Sequence, residues 1–249
     1  MAQLVTRRRV DVLATSDALA DAAAEAVAGA CQRSISARGR FTLALSGGST
    51  PQALYRCLAT RGDIDWARVH VVWGDERCVP ATHSASNYGM AREALLDRIE
   101  VPAAQVYRLR GEAPPHDEAR RYEAVLRALV PDGVLDLVLL GLGRDGHTAS
   151  LFPGHVAGQE QHRWVAEASF DDARGHRLTL TLPLLSSARE VLFLVAGRDK
   201  ATVLAAVIDG PDQPETLPAQ RIARQSAAVR WLVDAEAAEA LTTVGPDGP

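Results

Sequence analysis

The sequence has almost no lysine. Its 27 basic residues are 26 arginines and a single lysine, Lys200, an imbalance that folding does not require. The longest basic run covers only residues 7–9, and the 31 acidic residues leave a formal net charge of −4. Non-specific binding to nucleic acid or to anionic membranes relies on clustered positive charge. We therefore expect neither nucleic acid nor a membrane as a partner.

Cysteine and long apolar runs are scarce as well. The three cysteines, Cys31, Cys57 and Cys78, include no C-x-x-C pair, so they lack the pattern of a zinc or redox site. We interpret them as small buried apolar residues. No apolar run approaches the ~20 residues needed to span a bilayer. Residues 1–11 lack the apolar stretch of a signal peptide. These absences predict a cytoplasmic protein.

The composition that remains is typical of a globular protein. The 249 residues are 47% apolar and 23% charged. A chain of this length buries roughly 70 to 75% of its unfolded surface, which is enough for a sizeable core. It contains no internal repeat and no linker that would divide it. We predict one α/β domain over residues 1–244 and a disordered tail over 245–249.

Apolar segments alternate along the chain with helical ones. This alternation predicts a doubly wound, mostly parallel β-sheet with helices on both faces. Segment 177–182 alternates with period two, which indicates a half-exposed or edge strand. The predicted strands cover 10–14, 41–45, 69–73, 105–109, 134–140, 177–182, 191–196 and 229–233. The predicted helices cover 16–39, 86–99 and 117–129, with one opened by Pro51, one ending near 208 and one after the last strand.

Four loops follow the carboxyl ends of predicted strands, where open α/β sheets bind their ligands. They are SGGST (46–50), GDER (74–77), GLGRDGH (141–147) and GRDK (197–200). The last of these carries Lys200, whose compact ammonium suits contact with a phosphate. A bias of the coding sequence towards arginine explains the other basic residues but not why this lysine remains.

The SGGST loop has the features of a phosphate cradle. Gly47 and Gly48 allow close approach of the backbone, Ser49 and Thr50 supply hydroxyl donors, and the following helix begins with N–H groups that favour an anion. An ordinary tight turn with Ser/Thr capping is the alternative. The spacing of a P-loop is absent.

The GLGRDGH loop satisfies G-x-G-x-x-G, but Pro153 interrupts the helix that a dinucleotide site requires. Its extension places His147 beside Asp145, and a histidine supported by a carboxylate is well suited to act as a general base. A structural hydrogen bond is the alternative role. A zinc site formed by His147 and His155 is disfavoured, since no strong ligand spacing is present.

Arginines accompany two of the predicted strands. Arg77 follows Asp75 and Glu76, and Arg177 opens the alternating segment. The forked donors of either arginine could clamp a phosphate. A surface ion pair is an equally good interpretation in a chain with 26 arginines, and the spacing leaves both open.

These motifs resemble the 6-phosphogluconolactonase family, which shares one sugar-phosphate fold with glucosamine-6-phosphate deaminases. The most specific match is DGHTASLFPG at 145–154. The other matching segments are LALSGGSTPQALYRCLA, VVWGDERCVPATHSASNYGMAREALL, HRLTLTLPLL and LFLVAGRDKA. Their order and spacing extend the resemblance over nearly the whole chain. Arg144 and the stretch 171–176 depart from the family pattern and concern loop detail.

The resemblance implies hydrolysis of 6-phospho-D-glucono-1,5-lactone to 6-phospho-D-gluconate, the second step of the oxidative pentose phosphate pathway, with no required cofactor and no metal. It implies that His147 activates water and that Asp145 orients or supports it. The protein would act as a monomer or a small homo-oligomer. Asp75 is a candidate supporting residue. The implied substrate and phosphate contacts are Gly47, Gly48, Ser49, Thr50, Arg77, Asn87, Arg177 and Lys200.

Two other functions follow from the same resemblance. Deaminases of this fold resemble DGH-x-A-x-N-E-P, in which the glutamate works with the histidine in ring opening; here Phe152 stands at that position, which favours the lactonase. A non-catalytic sugar-phosphate sensor would carry a helix-turn-helix domain. No such domain is visible in the sequence.

Overall fold

Six parallel strands form the central sheet of the computed structural model, which describes residues 7–242. Their order is β1-β9-β8-β5-β2-β3. The strands of this sheet are β1 (Arg7–Leu13), β2 (Phe41–Leu45), β3 (Val69–Trp73), β5 (Leu137–Leu140), β8 (Glu190–Val195) and β9 (Ala228–Asp234). The α/β class and the mostly parallel sheet are confirmed. The predicted disordered tail, 245–249, lies outside the described residues.

Seven α-helices connect and cover the strands within the described residues. They are α1 (Ser16–Arg38), α2 (Ser49–Leu58), α3 (Asn87–Ala94), α4 (Pro115–Leu129), α5 (Leu182–Ser186), α6 (Ala201–Ile208) and α7 (Pro218–Gln225). The longest, α1, begins where the Thr15 side chain accepts the N–H of Ala18 and ends at Gly39, which adopts φ +76. Its alanines allow close packing on the sheet. None of the described helices is both long enough and apolar enough to cross a bilayer.

A second sheet contradicts part of the sequence prediction. Strands β4 (Asp75–Arg77), β7 (His176–Leu180) and β6 (Val165–Ser169) form an antiparallel sheet in the order β4-β7-β6. The expectation of a loop at 75–77 is wrong, because a three-residue strand carries no apolar pattern and its partner lies about a hundred positions away. Of the two expectations for 177–182, the edge strand is wrong, since β7 is central in this sheet; the strand is exposed at His176 and buried from Leu178 to Leu180.

Two other predicted elements do not form. The strand expected at 105–109 is reduced to one bridge between Val106 and Val71, and side chains of α4 donate to the carbonyls of Tyr107 and Arg108. The helix expected after β9 is a series of turns within the described residues. There the carboxylate of Asp234 accepts the N–H groups of Ala237 and Gly197.

The main sheet is buried on both faces. Every residue of β2 and β5 is buried, as expected for central strands of a parallel sheet covered by helices. In the neighbouring strands β8 and β9, the large side chains of Phe193 and Trp231 stack with ring centroids 3.8 Å apart. One continuous apolar core therefore supports the edge at which the loops lie.

Strands β2 and β5 pair in parallel, yet the chain leaves them in opposite directions. After β2 it passes through α2 to the neighbouring β3, and after β5 it continues to β8 on the other side. Diverging connections of this kind open a crevice at the carboxyl ends of the two strands. The SGGST and GLGRDGH loops lie on either side of this crevice.

The opposite ends of β2 and β5 are joined by Asp136. Its carboxylate accepts the N–H and hydroxyl of Thr42 and two donors from Arg38. The Thr42 hydroxyl in turn accepts the N–H of Asp136 at 2.8 Å. Because side chains take these backbone donors, β5 begins at Leu137 and the prediction that it begins at 134 is too early.

Thr42→Val should destabilise the fold while keeping the branched shape. It leaves the buried N–H of Asp136 without a partner and removes one of the two hydrogen bonds from Thr42 to Oδ2 of Asp136, which costs about 1–3 kcal/mol. Urea unfolding measures the change. The control is Thr60→Val, since the Thr60 hydroxyl lies in an exposed turn and its loss should change stability by about 0.5 kcal/mol or less. Equal effects of the two substitutions would contradict the role of Asp136.

Candidate active site

A cavity of about 200 Å³ lies in the crevice between β2 and β5. It brings together seven residues singled out from the sequence: Gly47, Asp75, Arg77, Asn87, His147, Arg177 and Lys200. Its remaining wall is formed by Ser46, Gly141, Leu142, Gly143, Thr148 and Ala149. Residues from the loops after β2, β5 and β8 and from the second sheet therefore share one small space.

His147 and Asp145 form a hydrogen-bonded pair at the end of β5. The Nδ1 atom of His147 lies 2.5 Å from Oδ1 of Asp145, and the His147 N–H also contacts that oxygen at 3.2 Å. The ring packs closely on Gly143, where an added Cβ would lie 2.0 Å from Nδ1. Since Nδ1 faces the carboxylate, Nε2 is the nitrogen left to accept a proton.

The carboxylate of Asp145 is strongly biased towards its ionised form. Burial acts to raise its pKa, but the hydrogen bonds and the charge of His147 outweigh this effect and bring the pKa of Asp145 to about 2. The pair therefore contains a carboxylate that stays ionised throughout the neutral range.

Phe152 supports the other side of the imidazole. Its ring stacks on His147 with centroids 4.2 Å apart and with 27° between the planes. Phe170 packs edge-on against Phe152, and Arg174 lies 4.0 Å above the Phe170 ring. Because these contacts fix the ring plane, His147 is oriented by packing as well as by Asp145.

Arg77 and Arg177 stand opposite each other across β4 and β7. Burial, reinforced by the charge of Arg77, lowers the pKa of Arg177. Arg77 donates to the carbonyl of Ala85 at 2.6 Å, while its Nε is buried without a partner within the described residues. The cross-strand pair therefore concentrates positive charge on one wall of the cavity, and neither arginine forms the surface ion pair considered for it with any residue of 7–242.

Behind this wall, Glu76 positions the start of α3. Its carboxylate accepts the N–H groups of Arg77, Asn87 and Tyr88 and the hydroxyl of Ser86. Burial raises the pKa of Glu76, and the three N–H donors oppose this shift. The carboxylate thus holds the segment that carries Asn87.

The SGGST loop reaches the cavity through its first two residues. Gly47 lines it, and a Cβ at this position would lie 1.9 Å from Oδ1 of Asn87, so only glycine fits. Gly48 adopts φ +113 at the start of α2. Gly48, Ser49 and Thr50 adjoin the cavity without lining it. The hydroxyl of Ser46 is buried in the cavity wall with no hydrogen-bond partner in the part of the chain that the structure describes.

Lys200 enters from the loop after β8. Its Nζ lies 3.7 Å from Oδ2 of Asp199, which is bound more closely by Arg144 at 2.7 Å. The hydrogen bond from Arg144 lowers the pKa of Asp199. Because Arg144 already pairs with this carboxylate, the ammonium of Lys200 is only partly neutralised.

Comparison with known proteins shows the family of this chain. The profile of one family, described as glucosamine-6-phosphate isomerases/6-phosphogluconolactonase, matches residues 14–231. The chain belongs to this family. A 6-phosphogluconolactonase of Synechocystis is 41% identical over 239 residues, covering 94% of this chain and 98% of its relative. One of Haemophilus influenzae is 37% identical over 202 residues, covering 80% and 87% of the two chains.

Solved structures show the same fold. A 6-phosphogluconolactonase from Trypanosoma brucei superposes with a TM-score of 0.84 at 30% identity, covering 95% of this chain and all of the other. A monomeric glucosamine-6-phosphate deaminase superposes with a TM-score of 0.81 at 22% identity, covering 93% and 99% of the two chains. The fold is therefore common to both branches of the family, and the site residues must distinguish them.

Two buried serines in or next to the cavity were not singled out as site residues from the sequence. Ser46 and Ser150 are buried polar residues, and Ser150 donates to Asp75 at 2.7 Å. Both serines lie in segments that resemble the family, so the sequence could have indicated them. What they contact is visible only in the fold. His155 lies apart from His147: its Nδ1 accepts the N–H of Ala157 and its ring packs on Phe170. No cluster of three metal-ligating side chains occurs in residues 7–242.

Asp145→Asn should remove a pH-dependent part of the stability. The pKa of Asp145 is about 2 in the fold against an ordinary 3.8. A lowered carboxyl pKa stabilises the fold above the ordinary value, and this stabilisation is lost as the pH falls towards 2. The difference in Tm between wild type and variant should therefore be larger at pH 5 than at pH 2. Asp171→Asn, at an exposed position, is the control, and a difference independent of pH in D145N would contradict the pairing.

Proposed function

We propose that this protein hydrolyses 6-phospho-D-glucono-1,5-lactone to 6-phospho-D-gluconate, the lactone-opening step of the oxidative pentose phosphate pathway. The observation that carries the proposal is that His147, which is hydrogen-bonded to Asp145, lines a cavity that is also lined by Arg77, Arg177 and Lys200. A general base beside several cations suits a substrate that has both an electrophilic carbonyl and a phosphate. Relatives named 6-phosphogluconolactonase, similar to this chain over most of its length, support the same reaction.

His147 acts as the general base in this proposal. Asp145 accepts a hydrogen bond from the Nδ1–H of His147 and leaves Nε2 free to take a proton from water. The water oxygen bonds to C1 of the lactone, and the C1–O5 bond then breaks. The imidazolium returns its proton to O5, which becomes the C5 hydroxyl of the product. Asp145 remains ionised and stabilises the imidazolium charge.

The phosphate is held away from the reacting carbonyl. Gly47 and the N–H groups that open α2 face no acceptor within the described residues, and a helix start favours an anion. The unpaired hydroxyl of Ser46 lies beside them, and Lys200 and Arg177 add positive charge. Gly48, Ser49 and Thr50 contribute if the phosphate extends from the cavity to the start of the helix. Anchoring a remote phosphate uses its binding energy to orient the carbonyl.

Phe152 favours lactone hydrolysis over deamination. It occupies the position of the glutamate in the deaminase motif and stacks on His147. A phenyl ring has no proton to transfer, so ring opening of an amino sugar would lack one of its acid–base groups. Hydrolysis of a lactone needs a single base and does not require that glutamate. The monomer or small homo-oligomer and the cytoplasmic location expected from the sequence remain predictions.

His147→Ala should lower kcat by about 10²–10⁴-fold with little change in KM, since a positioned base contributes about this much. The assay follows the disappearance of freshly generated 6-phosphogluconolactone, corrected for spontaneous hydrolysis. Deamination of glucosamine-6-phosphate is measured in parallel and should be absent. His162→Ala, at an exposed position, is the matched control. Wild-type turnover in H147A would remove His147 as the base, and deaminase activity without lactonase activity would reverse the proposal.

Lys200→Ala should act mainly on binding. Removing an ammonium from a phosphate should raise KM by roughly tenfold or more, or about 1.4 kcal/mol, with a smaller change in kcat. Arg198→Ala removes a cation from the same loop, but Arg198 pairs with Glu239 outside the cavity, so its KM should stay close to that of wild type. The same KM for K200A and wild type would place the phosphate elsewhere.

A further inference from the structure

Asp75 is the carboxylate of the cavity wall that the proposed reaction leaves without a role. It is 6% exposed, and no other Asp or Glu lines the cavity in the part of the chain described. No ion pair within 4.0 Å involves it among residues 7–242, although Arg77 and Arg177 line the same cavity. A buried carboxylate is costly unless it is hydrogen-bonded. The presence of a buried carboxylate in the cavity wall therefore requires an explanation.

Two neutral side chains hold this carboxylate. The Ser150 hydroxyl donates to Oδ2 at 2.7 Å, and the Asn87 amide donates to Oδ1 at 3.1 Å and to the backbone carbonyl of Asp75 at 3.0 Å. An ionised carboxylate has about four lone-pair sites on its two oxygens. Each oxygen is therefore positioned by one protein donor and keeps capacity for another.

The geometry ties Asp75 to the loop that carries the base. Ser150 is fully buried three residues after His147, and its N–H contacts Oγ1 of Thr179, which pairs with Asp75 across β4 and β7. Ala149 adopts φ +49, the one positive φ outside glycine among the described residues, and this turn directs Ser150 towards Asp75. The position of the carboxylate relative to His147 is thus set by short contacts.

The chemistry of the carboxylate indicates what it binds. A carboxylate repels a phosphate and can only accept hydrogen bonds. The arginines and Lys200 attract the anionic phosphate of the substrate instead. The other groups on a phosphorylated sugar lactone are its ring hydroxyls, which are donors. A hydroxyl bound here would place the ring between the base loop and the second sheet.

We propose that Asp75 determines specificity by accepting a hydrogen bond from one ring hydroxyl of the sugar lactone, and that Ser150 is a positioning residue that holds the Asp75 carboxylate for this contact. The proposal rests on the proposed lactonase function. It assigns Asp75 to recognition of the sugar, separately from the proton transfer at His147.

The test compares the parent lactone with its 2-deoxy, 3-deoxy and 4-deoxy analogues, all carrying the 6-phosphate. Wild type should discriminate against one analogue by roughly 10- to 100-fold in kcat/KM, since a hydrogen bond to a charged group is lost. In Asp75→Ala this ratio should fall close to one, while discrimination against the other two stays unchanged. Comparing ratios between variants cancels the intrinsic reactivity of each lactone.

Ser150→Ala provides the second variant and the readout for positioning. It should reduce discrimination against the same analogue by at least threefold and leave the other ratios unchanged, which a general loss of structure would not do. Ser226→Ala is the matched control, because Ser226 is buried but donates to the Ile222 carbonyl in α7, outside the cavity. It should retain the wild-type ratios.

The outcomes separate this inference from the proposed function. If wild type does not hydrolyse the parent lactone, the proposed function fails. If it hydrolyses the parent but discriminates against none of the analogues, or if D75A keeps the wild-type ratios, the role of Asp75 is overturned and the function stands. Should D75A fold or turn over too poorly to measure, S150A decides: unchanged ratios overturn the proposal, and a selective loss supports it.

Discussion

The parallel pairing of β2 with β5 is the constraint on which the site depends. Leu43 pairs with Leu137 and Ala44 with Val138, and both strands are buried on each face. A slip of one residue would turn every side chain of one strand to the opposite face, so the packed core specifies a single register. This register sets the SGGST loop against the loop of His147, and the diverging connections leave space between them. Asp136 and Thr42 secure the same pairing at the far end.

Close contacts at glycine keep that space small and defined. Gly47 lies against Asn87 and Gly143 lies against His147, and in each case a Cβ would overlap the neighbouring side chain. Neither glycine is required by a positive φ, so close approach explains both. The second sheet then closes the crevice by placing Arg77, Arg177 and Asp75 on its wall. The cavity is thus assembled from backbone loops on one side and side chains on the other.

The charged side chains in and beside the cavity differ in what they contact. Arg77, Arg177 and Lys200 provide positive charge, Asp145 is coupled to His147, and Asp75 is held by neutral donors. An anionic substrate with an uncharged reactive ring suits this division, since its phosphate and its hydroxyls call for opposite partners. Phe152 adds an apolar ring beside His147 and leaves no acid–base group at that position.

Local patterns were sufficient for two neighbouring strands of the main sheet and for most residues of the cavity. The apolar segments 41–45 and 69–73 form strands with the predicted bounds, and Gly47, His147 and Lys200 meet at one edge because parallel strands end together. The pattern at 75–77 could not reveal β4, which is too short to have a period and exists only through its pairing with β7. The strand expected at 105–109 does not form, since side chains of α4 bond the carbonyls of Tyr107 and Arg108 that a ladder would need.

By itself the sequence determined the α/β class, the glycine-rich loop after β2, and the His147–Asp145 pair, since each depends on neighbours along the chain. Its lone lysine also marked a residue of the cavity. Only the tertiary structure decided that Arg77 faces Arg177, that Ser150 holds Asp75, and that Phe152 stacks on His147. The first two contacts depend on the second sheet and on its packing against the loop that carries His147. The third depends on how that loop folds back on itself. Contacts of this kind leave no period or spacing in the sequence.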